Sequence, residues 1–289
     1  MPHFTIYNKL KSFFLILFIA IVSTFTALSQ PKNRSSELGL FLGANYYIGD
    51  LNPLGHFNQF TKPAGGVVFR YNFNERLAAR GNLYYGSIEG DDSFSNSASQ
   101  QQRNLSFNSK IIELSSQLEF NFFNYLIGDD NKLFSPYIFA GLAGFKFNPK
   151  ANINGSWVEL QPLGTEGQGL NNGATKRKYK RTQISIPFGV GIKTNLSARI
   201  GLSVEWGMRK TFTDYIDDVS KRYYDPAVLA VKRGATAANL SDPSIGTDPN
   251  FSNVGRQRGN AITKDWYVFS GIALTVKFKQ KIKKCYGVY

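Results

Sequence analysis

Long stretches of the chain alternate between apolar residues and polar or small residues. From Ile200 to Arg209 the even-numbered positions hold Ile, Leu, Val, Trp and Met, whereas the odd-numbered positions hold Gly, Ser, Glu, Gly and Arg. Because successive side chains of a β-strand point to opposite faces, this period of two predicts a strand with one apolar and one mixed polar face. The same pattern recurs clearly over residues 184–193, 110–122 and 267–278.

Four further segments follow the pattern less regularly. Residues 38–47, 67–73 and 77–85 alternate with interruptions, and residues 136–147 are apolar on both faces, with two glycines breaking the pattern. Together the segments predict eight strands. Their lengths of roughly 10–15 residues suit tilted strands that cross a membrane, which need about 9–11 residues, and exceed the usual ~5–6 residues of soluble strands.

The connectors between these segments are sorted by length. Walking along the chain, long polar connectors (49–63, 91–106, 148–180 and 213–264) alternate with short ones (72–76, 124–135 and 195–198). In an antiparallel meander this order places every long connector on one rim and every short one on the other, as in outer-membrane barrels. Alternation alone fits a soluble sandwich equally well, but a sandwich has no reason to sort its loops. We therefore predict an all-β fold: an eight-stranded antiparallel transmembrane β-barrel of the up-and-down OmpA/OmpX type with long outer loops.

The N-terminus has the pattern of an export signal. Lys9 and Lys11 precede the unbroken apolar run 13–22, and an Ala-x-Ser cleavage pattern ends at Ser29. The run is short for a helix that spans a bilayer, which needs ~20 residues, although an uncleaved anchor is the alternative. We predict a cleaved signal peptide at 1–29, an outer-membrane barrel at 30–279 and a basic periplasmic tail at 280–289.

Composition narrows the possible chemistry. The chain carries 34 Lys and Arg against 20 Asp and Glu, a net charge of +14, which suits nucleic acid, anionic lipid headgroups or an acidic protein surface. Export and the lack of a recognition-helix or metal-finger pattern argue against nucleic acid. One Cys and two His leave no material for a cysteine zinc site, and only His56 remains after export to serve a catalytic triad. We expect no enzyme activity, no cofactor, no metal and no small-molecule substrate.

Aromatic residues make up 15% of the chain, and many lie near the ends of predicted strands. Amphipathic rings favour the boundary between lipid and water, so these residues predict a girdle at the membrane interface. The proposed girdle comprises Tyr46, Tyr47, Tyr84, Tyr85, Trp206, Phe212, Tyr215, Trp266 and Tyr267.

The predicted inner face carries charge. An eight-stranded barrel leaves an interior just wide enough for side chains, and isolated buried charges are costly, so the inward charges should pair or be hydrated. We predict a polar network that plugs the barrel, with a selective ion path as the alternative. Its members are Arg70, Arg80, Glu113, Glu119, Lys193, Glu205, Arg209 and Lys277. Several glycines should permit strand curvature or make room for large neighbours: Gly81, Gly189, Gly191, Gly201 and Gly207.

Two runs in the long connectors carry candidate chemistry. The Gly-rich run 164–169 lacks the lysine and following helix of a phosphate-binding loop, so we expect a flexible loop. Four aspartates follow a strand end, and their spacing matches no known calcium loop. We expect a solvated rim cluster of Asp214, Asp217, Asp218 and Asp225 that pairs with Lys210, Lys221 and Arg222.

Several stretches resemble a family of small outer-membrane barrels that includes PorG, a component of the type IX secretion system. The similarity extends over nearly all of 36–279 and is carried by residues 37–51, 68–74, 136–141, 161–169 and 205–220. The resemblance implies a non-enzymatic barrel, surrounded by outer-membrane lipids, that anchors a periplasmic ring of a lipoprotein and its soluble partner. The Gly-rich and aspartate runs would then fold over the barrel mouth as a cap. A surface-exposed binding or adhesion barrel, a narrow pore and an envelope enzyme are the alternatives.

Overall fold

The computed structural model describes residues 34–53, 55–244 and 252–278. The predicted signal peptide at 1–29 and basic tail at 280–289 lie outside the described residues. Within those ranges, no helix is both long enough and apolar enough to span a bilayer.

Strands dominate the described chain. The strands are β1 Ser35–Ile48, β2 Lys62–Asn72, β3 Leu77–Asp91, β4 Ser106–Asn121, β5 Phe134–Ile153, β6 Ser156–Glu159, β7 Thr182–Asn195, β8 Ile200–Thr211 and β9 Trp266–Lys277. The helices are short: a 3-10 turn at Asp92–Phe94, then α1 Ala98–Arg103, α2 Leu160–Leu163, α3 Pro226–Arg233 and α4 Ala235–Ser241.

Eight of these strands close into a barrel. Each pairs antiparallel with its neighbours in the order β4-β3-β2-β1-β9-β8-β7-β5, and a further pairing between β4 and β5 joins the two ends. β6 lies outside the barrel wall and extends β5 as a short hairpin. The predicted closed, eight-stranded antiparallel barrel is therefore confirmed, with β6 as an addition that the pattern did not indicate.

The two faces of the barrel wall differ in burial: one face of each strand points into the interior, and the other is exposed and largely apolar. On β4 every odd-numbered residue from 107 to 121 is buried, whereas the even-numbered residues Ile112, Leu114, Leu118 and Phe120 are exposed. Leu142, at the middle of β5, has 71% of its surface exposed. A continuous exterior belt of Leu, Ile, Val and Phe is stable against lipid tails and unstable against water, so this wall has the surface of a membrane-spanning barrel.

The connectors are sorted by rim. The short connectors all lie on one rim, the short-connector rim, which comprises residues 73–76, 122–133 and 196–199. The long connectors lie on the opposite rim and comprise residues 49–61, 92–105, 154–181 and 212–265. We call the described residues of the four long connectors the cap. One hydrophobic cluster joins the cap to the part of the barrel interior next to it. The cluster includes Phe41, Tyr84 and Phe269 in the barrel and Leu51 and Ile216 in the cap. The expected cap over the barrel mouth is confirmed.

Candidate functional site

The part of the barrel interior nearer the short-connector rim contains a buried ion network centred on Glu119. The Glu119 carboxylate accepts hydrogen bonds from Arg70 at 2.9 and 3.2 Å and from the Lys193 Nζ at 2.9 Å, and it lies 3.2 Å from the Arg80 Nη1. Arg70 also donates to Glu37 at 2.7 Å. The residues come from five strands, β1–β4 and β7, so the network connects opposite walls of the barrel.

Glu205 on β8 joins this network from the other side. Its carboxylate pairs with Arg80 and accepts hydrogen bonds from the hydroxyls of Tyr84 at 3.0 Å and Tyr137 at 2.8 Å. Arg80 in turn donates through Nε to Gln117 at 2.9 Å. Each charged side chain of this buried set therefore has a partner of opposite charge on another strand, which is what makes buried charge tolerable.

A second pair lies nearer the cap. Arg209 donates to Glu113 at 3.1 Å, and the Tyr267 hydroxyl donates to the same carboxylate at 2.8 Å. The Arg209 guanidinium carbon is 4.9 Å from the centre of the Phe269 ring, a cation–π distance. This pair forms the boundary between the charged interior and the aromatic layer beneath the cap.

The buried charges balance. The four cations Arg70, Arg80, Lys193 and Arg209 face four carboxylates: Glu37, Glu113, Glu119 and Glu205. Of the eight network residues named from the sequence, the structure places seven in these ion pairs. The eighth, Lys277, is partly buried and donates to the Ile127 carbonyl at 2.7 Å.

The short-connector rim is closed by residues of its longest turn. Tyr125 and Ile127, from residues 122–133, are buried under the ion network, and the Lys193 Nζ lies 5.3 Å from the centre of the Tyr125 ring. Side chains therefore fill the barrel at this end, and the cap covers the other.

Glycines on the inner face make room for this filling. A Cβ on Gly189 or Gly207 would lie within 2.7 Å of the Phe139 ring, and one on Gly191 would overlap the Tyr137 ring. A Cβ on Gly201 would lie 2.7 Å from Ile127. The predicted role in accommodating large neighbours is confirmed at these four positions. It is wrong for Gly81, which faces outward, where a Cβ would meet nothing closer than 3.9 Å.

The Gly-rich run of the third long connector is ordered, contrary to the expected flexible loop. Thr165, Glu166 and Gln168 are fully buried. Gly164 and Gly167 have φ angles of 58° and 70°, the left-handed region that glycine adopts without strain. These glycines turn the chain so that Glu166 points into the cap.

Glu166 is the main acceptor of the cap. Its carboxylate accepts hydrogen bonds from the backbone N–H of Ser220 at 2.8 Å and of Lys221 at 3.1 Å, and from the Tyr215 hydroxyl at 3.2 Å. The Arg258 guanidinium is 3.3 Å away. One side chain of the third long connector thereby holds two separate stretches of the fourth.

The aspartate run is buried, so the expected solvated rim cluster is wrong. Asp214, Asp217 and Asp218 are at most 3% exposed, and Asp225 instead caps the N-terminus of α3. The expected cations bind elsewhere: Lys210 lies over the Trp266 ring, Lys221 donates to Ala174 and Arg222 to Gly255. The sequence shows the charges but not the donors that replace water, which are Tyr47, Thr165, Tyr179 and Ser220.

A second group of carboxyls meets at the lumen side of the cap. The Tyr47 hydroxyl contacts Asp217 and lies 3.1 Å from Asp265. A hydroxyl carries one proton, so both contacts are hydrogen bonds when one of the carboxyls is itself protonated. Burial raises the pKa of both aspartates well above the usual range, and the neighbouring carboxylates reinforce the shift.

Two further aspartates of the cap titrate close to neutrality. Burial raises the pKa of Asp214 to about 7, and the hydroxyl of Ser220 opposes the rise. Burial also raises the pKa of Asp218 to about 6 against the opposing charge of Arg258. Because these pKa values exceed that of an unfolded aspartate, about 3.9, the folded cap binds protons more tightly. Cap stability should therefore fall as the pH rises from about 4 towards 7.

The variant Asp214→Asn tests this dependence. Asparagine stays neutral, so at pH 8 we expect proteolysis within the cap to be roughly tenfold or more slower in the variant than in the wild type, since one pKa unit corresponds to a tenfold change. At pH 4, where the wild-type carboxyl is protonated, the two rates should converge. Limited proteolysis of the detergent-solubilised protein measures both rates, and an equal rate at pH 8 would contradict the assignment.

Most of the predicted aromatic girdle does not face lipid. Tyr47, Tyr84 and Tyr267 point into the lumen, and Tyr215 is buried in the cap. The period of two explains this correction, because each adjacent aromatic pair sends one ring inward. Tyr46 faces outward but is covered by His56 and Phe57 of the first long connector. Exposure on the outer face remains, in full or in part, for Tyr85, Trp206, Phe212 and Trp266.

The cap contains a polar cleft of about 430 Å³. Asp50, Arg103 and Arg258 line it together with Tyr223 and Asn260. Among the described residues, no group of three or more His, Cys, Asp or Glu side chains is arranged to hold a metal ion. The cleft offers hydrogen-bonding groups for a polar ligand.

Sequence reasoning missed two of the residues that organise these sites. Glu37 shares the inward parity of Gly39 and Phe41 on β1, so the period of two could have found it. Glu166 lies in an irregular connector, and no local pattern marks it as buried. The alternation along the strands thus predicts which side chains point into the barrel. Burial in the cap depends on contacts between residues distant in sequence, which no local pattern predicts.

Comparison with solved structures returns small bacterial barrels. Ail of Yersinia pestis, in complex with the heparin analogue sucrose octasulfate, is 10% identical, with 85% of this chain and 99% of that chain covered and a TM-score of 0.40. Neisserial surface protein A is 9% identical (86% and 100% covered, TM-score 0.42), and OprG of Pseudomonas aeruginosa is 10% identical (86% and 98%, TM-score 0.37). These similarities concern the fold alone. None of the curated protein sequences compared with the chain matches it.

A sequence-family model also matches this chain. The family described as "Domain of unknown function (DUF6089)" matches residues 11–226, which is more than half of the 289 residues. The chain, an eight-stranded barrel of the outer-membrane type, therefore belongs to the DUF6089 family.

Proposed function

We propose that this chain is a non-enzymatic outer-membrane barrel that serves as a structural anchor for an envelope assembly, as PorG does in the type IX secretion system. The observation that carries the proposal is the filled interior. Four cations and four carboxylates pair across the lumen, the turn at 122–133 fills one end and the cap covers the other. A barrel built in this way is suited to hold a position in the membrane rather than to pass a solute.

The exterior supports the location. The apolar belt requires a bilayer, and a basic, apolar N-terminal segment of the kind at 1–29 directs export. With long connectors outside, the short-connector rim faces the periplasm, where a lipoprotein ring would be held. Apolar side chains are exposed on that rim at Phe123, Leu133 and Leu196. They provide contact area for lipid or for such a partner.

Site-specific photo-cross-linking in cells tests the anchor. A photoreactive residue at Asp130 or Leu196 on the short-connector rim should give an adduct with a lipid-modified periplasmic protein, identified by mass spectrometry and by incorporated fatty acid. Matched positions on the cap, Val231 and Ile262, should give none, although both are highly exposed. Adducts from the cap alone, or none from the rim, would contradict the proposal.

The second candidate is a surface-exposed binding or adhesion barrel that acts through its long connectors. The polar cleft of the cap favours it. On this alternative, deletion within the long connectors abolishes ligand binding and leaves secretion intact, whereas an anchor loses secretion when its periplasmic rim is altered. A narrow pore is disfavoured by the filled interior, and steady single-channel conductance in planar bilayers would restore it.

A further inference from the structure

The outer face of the barrel carries a cluster of cations immediately above the apolar belt, on the cap side. Even-numbered residues of β4 and β5 point outward, and on both strands the first long polar side chain beyond the belt is a lysine, Lys110 and Lys146. Along β4 and the residue that follows it, the belt runs from Phe122 to Ile112, 11 residues, which matches the ~9–11 residues that cross a bilayer. The lysines therefore lie at the level of the lipid headgroups.

Strand register brings these lysines together. Ile112 pairs with Lys146, and Lys110 pairs with Asn148, so the two lysines are diagonal neighbours on adjacent strands. Diagonal neighbours lie ~7–8 Å apart, within reach of long side chains, and like charges so placed repel each other. Both lysines are exposed, and neither forms a salt bridge with a described carboxylate.

The surroundings add positive charge and hydrogen-bonding groups. Lys150 and Arg181 share a single carboxylate, Glu159, at 3.7 and 2.8 Å. With Lys110 and Lys146, the group holds four cations and one anion, a net charge of +3. The outward Thr182 of β7 lies opposite Lys146 in the register and completes the edge of the cluster.

The belt directly below is among the most exposed apolar surface of the wall. Leu114 is 68% and Ile184 65% exposed, and Leu142 lies between them on β5. A ligand that satisfies both parts must be amphipathic, with negative charge at one end and acyl chains at the other. A soluble anion would use the lysines and leave the belt unused.

We propose that Lys110 and Lys146 bind the phosphate of a phosphorylated lipid in the leaflet on the cap side, with its acyl chains along Leu114, Leu142 and Ile184. This inference rests on the proposed embedding of the barrel in the outer membrane. A basic surface next to a bilayer attracts anionic headgroups, and here the charge is fixed to rigid strands rather than to a flexible segment. The rest of the described wall has its own outward lysine at this level, Lys210, but that side chain lies 4.2 Å from the centre of the Trp266 ring.

Native mass spectrometry of the full chain in detergent tests the site. Bisphosphorylated lipid A is titrated in, with phosphatidylcholine and inorganic phosphate as comparison probes. The wild type should retain lipid A. Lys110→Gln/Lys146→Gln should bind it at least ~10-fold more weakly, since each lysine near a membrane surface strengthens the binding of anionic lipid roughly fivefold. Lys176→Gln/Lys232→Gln removes the same charge from exposed cap positions and should bind as the wild type does.

The other outcomes are equally decisive. Lys110→Arg/Lys146→Arg should keep the affinity, and higher salt should weaken it. Unchanged binding in the glutamine variant, equal binding of phosphatidylcholine, or displacement of the lipid by millimolar inorganic phosphate would overturn the proposal. Because cross-linking reports on the opposite rim, failure of the lipid site leaves the anchor test unaffected, and failure of the anchor leaves the lipid result standing.

Discussion

Replacing Glu119 by glutamine is expected to lower the free energy of unfolding of the barrel by about 3–5 kcal/mol, the usual loss when one partner of a buried ion pair is removed. Glu119 faces three cations, Arg70, Arg80 and Lys193, and all four side chains are essentially inaccessible to solvent. Arg70 and Arg80 keep Glu37 and Glu205 as partners, so the neutral amide leaves one uncompensated positive charge, on Lys193, in a medium of low polarity. Urea titration of the protein in detergent micelles, followed by tryptophan fluorescence, measures the change.

The matched control is Glu159→Gln. Glu159 also pairs with two cations, Lys150 and Arg181, but its side chain is 39% exposed, so water and salt screen the interaction. The loss there should stay below ~1 kcal/mol. A second variant sharpens the test: adding Lys193→Met to Glu119→Gln removes one uncompensated cation, so the double variant should be less destabilised than the sum of the single variants. Strictly additive effects, or a Glu119→Gln variant as stable as the control, would contradict the network.

Glu166→Ala is expected to open the cap while leaving the barrel folded. The variant removes the acceptor of two backbone N–H groups, the Tyr215 hydroxyl and the Arg258 guanidinium, all within the cap. Buried donors left without a partner cost ~1–3 kcal/mol each, so local opening should become easier by at least ~2 kcal/mol. Cleavage in residues 154–181 and 212–265 should accelerate roughly 30-fold or more when opening is fast.

Hydrogen exchange separates this local effect from global unfolding. In Glu166→Ala the amides of the fourth long connector should lose protection, whereas the amides of β1–β5 and β7–β9 should keep theirs. Glu159 lies in the third long connector, as Glu166 does, but at the surface, so Glu159→Ala should change neither region. Loss of protection throughout the strands would show that the cap and the barrel unfold as one unit and that Glu166 does not stabilise the cap alone.

The strands were predictable because each carries its own pattern. Every residue of β8 from Ile200 to Arg209 reports its face through the period of two, and a one-residue slip would exchange lipid-facing and lumen-facing sides. The sorting of connector lengths then distinguished a barrel from a sandwich. The cleaved signal, the tail and the identity of any partner stay predictions.

The cap was not predictable in the same way. Asp217 looks like a solvated acid in sequence, because nothing near it reveals that Tyr47, 170 positions earlier, supplies a hydroxyl. Glu166 looks like part of a flexible turn, because its four donors come from residues 215–258. Irregular segments carry no periodicity, so burial there depends on long-range contacts that a local pattern does not encode.

The central claim is that the apolar face of each strand contacts lipid and the polar face fills the interior. Spin labels on single cysteines at Leu114, Leu142 and Ile184, in a Cys285→Ser background and in lipid vesicles, test it most directly through relaxation by oxygen and by an aqueous nickel complex. The account predicts strong relaxation by oxygen and weak relaxation by nickel at all three positions, and the reverse at Val231, which is 83% exposed on the cap. Ready access of nickel to the three strand positions would contradict it.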